Sequence, residues 1–193
     1  MANAKNTVRI IGGKWRGRKL RFPTVTGLRP SMDRSRETLF NWLQAELPQA
    51  HCLDLFAGSG ALGFEAASRG ATRVDMIDNN SQVVRALETA KAELEATEVR
   101  VSRSEALTFL ARSTQRYQIV FIDPPFTSDL ARAALEQLHA GRDRLLAEAP
   151  IVYLEQARRD PDAWRAQDWT VHRDKPMGER RCLLLVPTTP DGP

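Results

Sequence analysis

The apolar run Cys52-Leu53-Asp54-Leu55-Phe56 leads directly into Gly58-Ser59-Gly60-Ala61-Leu62-Gly63 and a helical stretch through Arg69 that Gly70 can end. No other feature limits the fold as strongly. The spacing predicts a strand, a tight glycine turn and a helix, with backbone able to approach a ligand at the helix N-terminus. The pattern then repeats. Val74 to Asp78 reads as a second strand, and a helix from Ser81 places Val83, Val84, Leu87 and Leu94 at helical spacing. A short alternating strand around Val99 and Val101 precedes a helix over 105–112. A fourth strand ends at Asp123, a helix covers about 128–140, and Ile151-Val152-Tyr153-Leu154 forms a fifth strand. Alternation of this kind predicts an α/β fold with a parallel sheet covered on both faces. Trp169-Thr170-Val171 and Cys182 to Val186 flank Pro176-Met177-Gly178 with no helix between them, which predicts an antiparallel ribbon at the sheet edge.

The beginning of the chain differs. Val8-Arg9-Ile10-Ile11 and the stretch from Gly12 to Leu20 read as a hairpin, an appendage to the main unit. Lys5, Arg9, Lys14, Arg16, Arg18, Lys19, Arg21, Arg29, Arg34 and Arg36 crowd this region against Asp33 alone, so the formal charge of +4 is a local basic patch suited to an anionic partner. Pro30, with Ser31 or Asp33 able to cap, opens a helix whose Leu39, Phe40, Leu43 and Leu47 share one face before Pro48 stops it. The expected organisation is a basic extension over 1–28, a main domain over 29–187 and a loose tail over 188–193. The 193 residues, 42% hydrophobic, suffice for one real core. Cys52 and Cys182 sit in separate strand-like runs without disulfide or zinc spacing and read as core thiols. No apolar stretch is long enough to cross a membrane and the start has no secretion signal, so a cytoplasmic protein is expected.

Asp78 closes the second strand 18 residues past Gly60, near the spacing of a carboxylate that grips a ribose diol. Asp54 discriminates between cofactors. A carboxylate just below the glycine turn would repel a pyrophosphate, whereas S-adenosylmethionine presents an ammonium and a sulfonium. Asp54, Phe56, Gly58, Gly60, Asp78 and Asn79 are therefore the expected cofactor residues, with Glu105 and Ala106 bounding the adenine. Glu105 suits an adenine contact and a helix cap equally.

Asp123-Pro124-Pro125-Phe126 supplies the chemistry. Two prolines fix φ and donate no hydrogen bonds, Asp123 adds a charged acceptor, and Phe126 offers a face on which a base can stack. Such a set suits holding the flat amine of a nucleobase. No metal is required. His51, His139 and His172 are scattered without a nucleophile or ligand partner.

With these motifs in this order, the chain resembles class I S-adenosylmethionine-dependent amino-methyltransferases. Arg9-Ile-Ile-Gly-Gly-Lys-Trp-Arg-Gly-Arg-Lys-Leu20, Leu28 to Leu43 and Asp54 to Gly63 look more specifically like the bacterial small-subunit ribosomal RNA guanine-N2 methyltransferases, the RsmD family. Ser31, Glu105 and Arg180-Arg181-Cys182 depart from that family's pattern, the last standing where a tyrosine is expected. The resemblance implies a Rossmann-like, seven-stranded, mostly parallel sheet and an N-terminal hairpin that helps hold RNA. It also implies methylation of one guanine N2 within an assembling ribosomal particle. Lys14, Trp15, Arg16, Arg18, Lys19, Arg21, Arg29 and Arg34 are the expected RNA contacts, with Trp15 suited either to stacking on RNA or to packing the hairpin. A monomer is expected. Competing readings are methylation of DNA adenine or protein glutamine, an NAD-dependent oxidoreductase sharing the glycine turn, and an RNA-binding factor without activity.

Overall fold

The computed structural model describes residues 6–24, 33–125, 129–159, 162–164 and 168–188, leaving aside the side chains of residues 33 and 34. Strands β1 (Thr7–Arg9) and β2 (Lys19–Arg21) form an antiparallel hairpin around a 3-10 turn at Gly13–Trp15. After helix α1 (Asp33–Trp42) come β3 (His51–Asp54), α2 (Ala61–Ser68), β4 (Arg73–Asp78), α3 (Ser81–Leu94), β5 (Val99–Arg103), α4 (Ala106–Arg112) and β6 (Tyr117–Ile122). Helices α5 (Leu130–Ala140) and α6 (Arg142–Leu145) lead to β7 (Leu146–Ala157), β8 (Trp169–Met177) and β9 (Arg180–Pro187).

Seven strands form one sheet in the order β5-β4-β3-β6-β7-β9-β8, parallel as far as β7 and antiparallel in the final β9 and β8. This is the expected Rossmann-like sheet with its edge ribbon. The order reverses between β3 and β6, so the strand ends there open a crevice, the usual ligand position in such sheets. Two cores cover the faces. Phe40, Phe64, Leu87, Phe121 and Tyr153 belong to one, and Leu110, Leu135, Leu154 and Trp169 to the other. Cys52 and Cys182 are buried free thiols. Among the described residues no helix is long and apolar enough to cross a membrane.

Several element boundaries differ from the sequence expectation: β3 ends at Asp54 rather than Phe56, and β8 runs on to Met177, so that Pro176 and Met177 pair with Arg181 and Arg180 instead of forming the turn. The fifth strand runs from Leu146 rather than Ile151, with its register shifting between Tyr117 and Ile119 of β6 and Ala149 at φ +48°. Glu148, Ala149 and Pro150 interrupt the apolar pattern, which hides the earlier start. Helix α1 ends at Trp42, although Leu43 and Leu47 still turn into the core.

The hairpin packs on the main domain. Val8, Ile10, Trp15, Leu20 and Phe22 join the core that contains α1 and α2. Glu65, fully buried on α2, accepts from the backbone N–H of Ile11 at 2.7 Å and of Gly12 at 2.8 Å. Its charge is met by Arg69 at 2.7 Å and by buried Arg36 at 3.8 Å, and Arg36 also donates to the Arg9 carbonyl. Ser68 donates to the Gly12 carbonyl and accepts from Trp15 N–H. Two backbone donors and two guanidiniums thus converge on one carboxylate, each bond charge-assisted.

Candidate active site

Short β3 delivers Asp54 to the crevice, where the side chain is 2% exposed and Oδ2 accepts from Gly63 N–H at 2.9 Å. The bond ties the strand end to the start of α2 and spends one oxygen on a helix amide. Burial, the largest cause, pushes Asp54 up to about 7. The Gly63 N–H opposes that rise and the Asp78 charge adds to it. A carboxylate so placed is stabilised by an incoming cation.

The turn above it requires glycine. Gly60 has φ +78°, and a Cβ there would lie 2.7 Å from the Phe64 ring and 2.8 Å from Leu87. A Cβ on Gly63 would meet Met76 at 2.9 Å, so α2 lies close against β4. At the end of β4, Asp78 accepts from Gly58 N–H at 3.1 Å and Asn80 N–H at 2.8 Å, one on each oxygen. Its acidity is lowered chiefly by partial burial, against these two amides and with Glu105 adding to the rise. Each oxygen keeps a further lone pair for a ligand hydroxyl.

Asn79 donates to Glu105 at 3.0 Å, which links the ends of β4 and β5. Glu105 occupies the N-cap position of α4, where its charge faces the helix N-terminus although its side chain makes no capping hydrogen bond. Ala106 is buried and Phe56 packs partly buried against the second core. Asn80, absent from the sequence-derived set, caps α3 through Gln82 N–H and Val83 N–H. Its signal was present in the Asn-Ser pair before the helical run.

On the far side of the crevice, β6 pairs with β3 in the register Asp54↔Phe121. Half-buried Asp123, buried Pro124 and exposed Pro125 follow Ile122 and stand at the same sheet end as the glycine turn. Phe126 and Arg29 lie outside the described residues, as does the side chain of Arg34.

The basic hairpin is placed otherwise. Lys14 pairs with Glu98, just before β5, and Arg18 donates to the Glu93 carbonyl near the end of α3. Both partners lie at the N-terminal end of the parallel strands, opposite Asp123 and the glycine turn. Trp15 is a correction to the stacking expectation. It is 8% exposed and meets Phe64 edge-on at 6.5 Å, with Lys14 Nζ 4.3 Å from its ring centroid, so it packs the hairpin. Arg16, Lys19 and Arg21 are exposed.

A doubly covered sheet reversing between β3 and β6, with carboxylates at three successive strand ends around a glycine turn, is the architecture of the class I methyltransferases. The comparisons narrow the class. A family model described as "conserved hypothetical protein 95" matches residues 8–186. The ribosomal RNA small subunit methyltransferase D of Escherichia coli K12 is 43% identical over 172 residues, 89% of this chain and 86% of that one. Its Haemophilus influenzae counterpart is 41% identical over 182 residues, 91% of this chain and 92% of that one. The solved structure of Escherichia coli yhhF superposes with a TM-score of 0.82 at 42% identity, covering 94% of this chain and 98% of the other. The chain belongs to the small-subunit ribosomal RNA methyltransferase D family.

Proposed function

We propose that this protein is an S-adenosylmethionine-dependent methyltransferase acting on the exocyclic N2 amine of a guanine in small-subunit ribosomal RNA, within an assembling particle in the cytoplasm. We propose that it acts as a monomer. The carrying observation is that Asp123-Pro124-Pro125 follows β6 beside the strand end that bears Asp54 and the glycine turn.

The residues present fit the cofactor: buried Asp54 calls for a cation, Asp78 keeps acceptor capacity for a diol, and Asn79 and Glu105 border the neighbouring edge. S-adenosylmethionine, when bound, supplies a methyl carbon already activated by its sulfonium. A guanine amine is a weak nucleophile because its lone pair is delocalised into the ring. Asp123 and the Pro124 carbonyl accept hydrogen bonds from its two N–H groups, favouring a tetrahedral nitrogen with the lone pair aimed at the methyl carbon, and the proton that the methylated nitrogen must lose would pass to Asp123 or to water. Orientation of this kind can contribute roughly 7–11 kcal/mol, so a strong general base is unnecessary. Phe126 stacks the base, which must be unpaired or extruded to enter.

The test is Asp123→Ala. Methyl transfer to small-subunit RNA is expected to be lost while S-adenosylmethionine still binds by calorimetry. Near-parental turnover would exclude Asp123 as the amine acceptor. Nucleoside mass spectrometry of ribosomal RNA from a deletion strain, before and after treatment with the protein, checks the N2 product.

A further inference from the structure

Beside Asp123 lies a buried polar cluster that the mechanism above does not use. Glu155, 1% exposed on β7, pairs with Arg180 at the start of β9. Tyr153 donates to Glu155 Oε2 at 2.8 Å and lies 3.3 Å from the Cys182 sulfur. The register explains the proximity. Ile122 pairs with Leu154, so the next residues along β6 and β7 are Asp123 and Glu155, while Cys182 lies opposite Glu155 and Arg180 opposite Ala157. Two carboxylates at adjacent strand ends oppose each other's ionisation unless a cation lies near both.

We propose that Arg180, delivered by the edge ribbon and held by Glu155, is a positioning residue that keeps Asp123 ionised and oriented as the acceptor for the substrate amine. This inference rests on the amine-acceptor reading of Asp123. Arg180 interacts electrostatically with both acids. Burial lowers its pKa, but Glu155 and Asp123 outweigh burial and raise it overall. Among the described residues, Tyr153 and Cys182 also interact electrostatically with Asp123. Burial is the main cause that holds both protonated, Tyr153 well above its usual range and Cys182 at about 11, so neither supplies charge near neutrality. From α1, Arg36 is directed to Glu65 and the Arg9 carbonyl.

The charge arrangement predicts opposite effects from two substitutions. Arg180→Met leaves Asp123 beside an uncompensated carboxylate, and the acid limb of the pH–rate profile for methyl transfer, taken with S-adenosylmethionine and subunits saturating at every pH so that binding through Asp54 does not set it, should rise by about one unit. Glu155→Gln keeps an acceptor for Tyr153 while leaving Arg180 entirely to Asp123, and the acid limb should fall. S-adenosylmethionine affinity should stay within about twofold in both, because neither residue lies on the cofactor side of the crevice. The measurement uses small ribosomal subunits from a strain lacking the enzyme. If both acid limbs coincide with the parent's, the proposal is overturned. If Arg180→Met fails to bind cofactor because it misfolds, Glu155→Gln decides alone: a lowered limb supports the proposal and an unmoved limb overturns it. Asp123→Asn separates the two readings. Retained turnover there defeats the amine-acceptor reading itself, whereas an inactive Asp123→Asn with unmoved limbs in the other variants defeats only the role of Arg180.

Discussion

Asp54 Oδ2 and Gly63 N–H share a 2.9 Å hydrogen bond that closes the glycine turn from below, joining the end of β3 to the first turn of α2. The acceptor is a buried acid pushed up to about 7, chiefly by burial, and that fixes two pH dependences. In the free protein Asp54 retains a proton between about pH 4 and 7 that the unfolded chain has released. The folded state binds more protons across that window, so this contribution falls as pH rises from 4 to 7 and levels off above, by about 4 kcal/mol in order of magnitude. Asp54→Asn removes the dependence. The ligand-free variant should therefore gain more thermal stability over the parent at pH 8 than at pH 5, and an equal gain at both would refute the assignment.

The same acid should couple cofactor binding to proton release. A cationic ligand favours ionised Asp54, so S-adenosylmethionine affinity should fall as pH drops below about 7, by up to about tenfold per unit. Calorimetry in buffers of different ionisation enthalpy should detect a released proton near pH 6 and none near pH 8.5. Asp54→Asn should show weak, pH-independent binding.

Glu65 is expected to be the largest single contributor to hairpin docking. Glu65→Ala leaves Arg36, Arg69 and two backbone donors to be satisfied elsewhere, a loss of about 3–5 kcal/mol by the usual cost of breaking a buried pair. Chemical denaturation should show the loss. Hydrogen exchange at Ile11 and Gly12 should accelerate before exchange in β3 or β6.

The exposed cations of the hairpin yield to a salt titration. Replacing Arg16, Lys19 and Arg21 with Gln should weaken RNA binding across sequences and lower the log-log salt slope by roughly 0.7 per lost single-strand contact. Cofactor affinity should not change. Equal slopes for variant and parent would leave these side chains with a solvation role only.

Much of the site was legible because its residues carry local signals. A glycine turn after an apolar strand, an acid at each of three strand ends and paired prolines all follow from short-range pattern. The Glu65 network was not legible, because Ile11 and Glu65 are 54 residues apart and only the folded topology brings them together. One trace was present. Glu65 is the sole charge in the α2 run Ala-Leu-Gly-Phe-Glu-Ala-Ala-Ser, and a buried helix retains such a charge when partners arrive from elsewhere. The role of Trp15 was open for a related reason: basic neighbours suggest a nucleic-acid contact, but the Phe64 ring that covers it belongs to another element. The early start of β7 was hidden because Ala149 and Pro150 look like a loop and are carried as an irregularity within the strand.

The position of the hairpin turn sets a minimum size for any ligand that reaches both its cations and the crevice. Its docking residue Ser68 and the glycine turn lie at opposite ends of α2, and eight helical residues span about 12 Å. A ligand touching both the cations beyond Ser68 and the crevice at Asp123 must bridge at least that distance. A free nucleoside would fill the crevice and leave the hairpin untouched, whereas a folded piece of RNA several nucleotides across reaches both. With RNA held at both anchoring points, selectivity would reside in the spacing between them, and the shape of the substrate would be measured before its base is met.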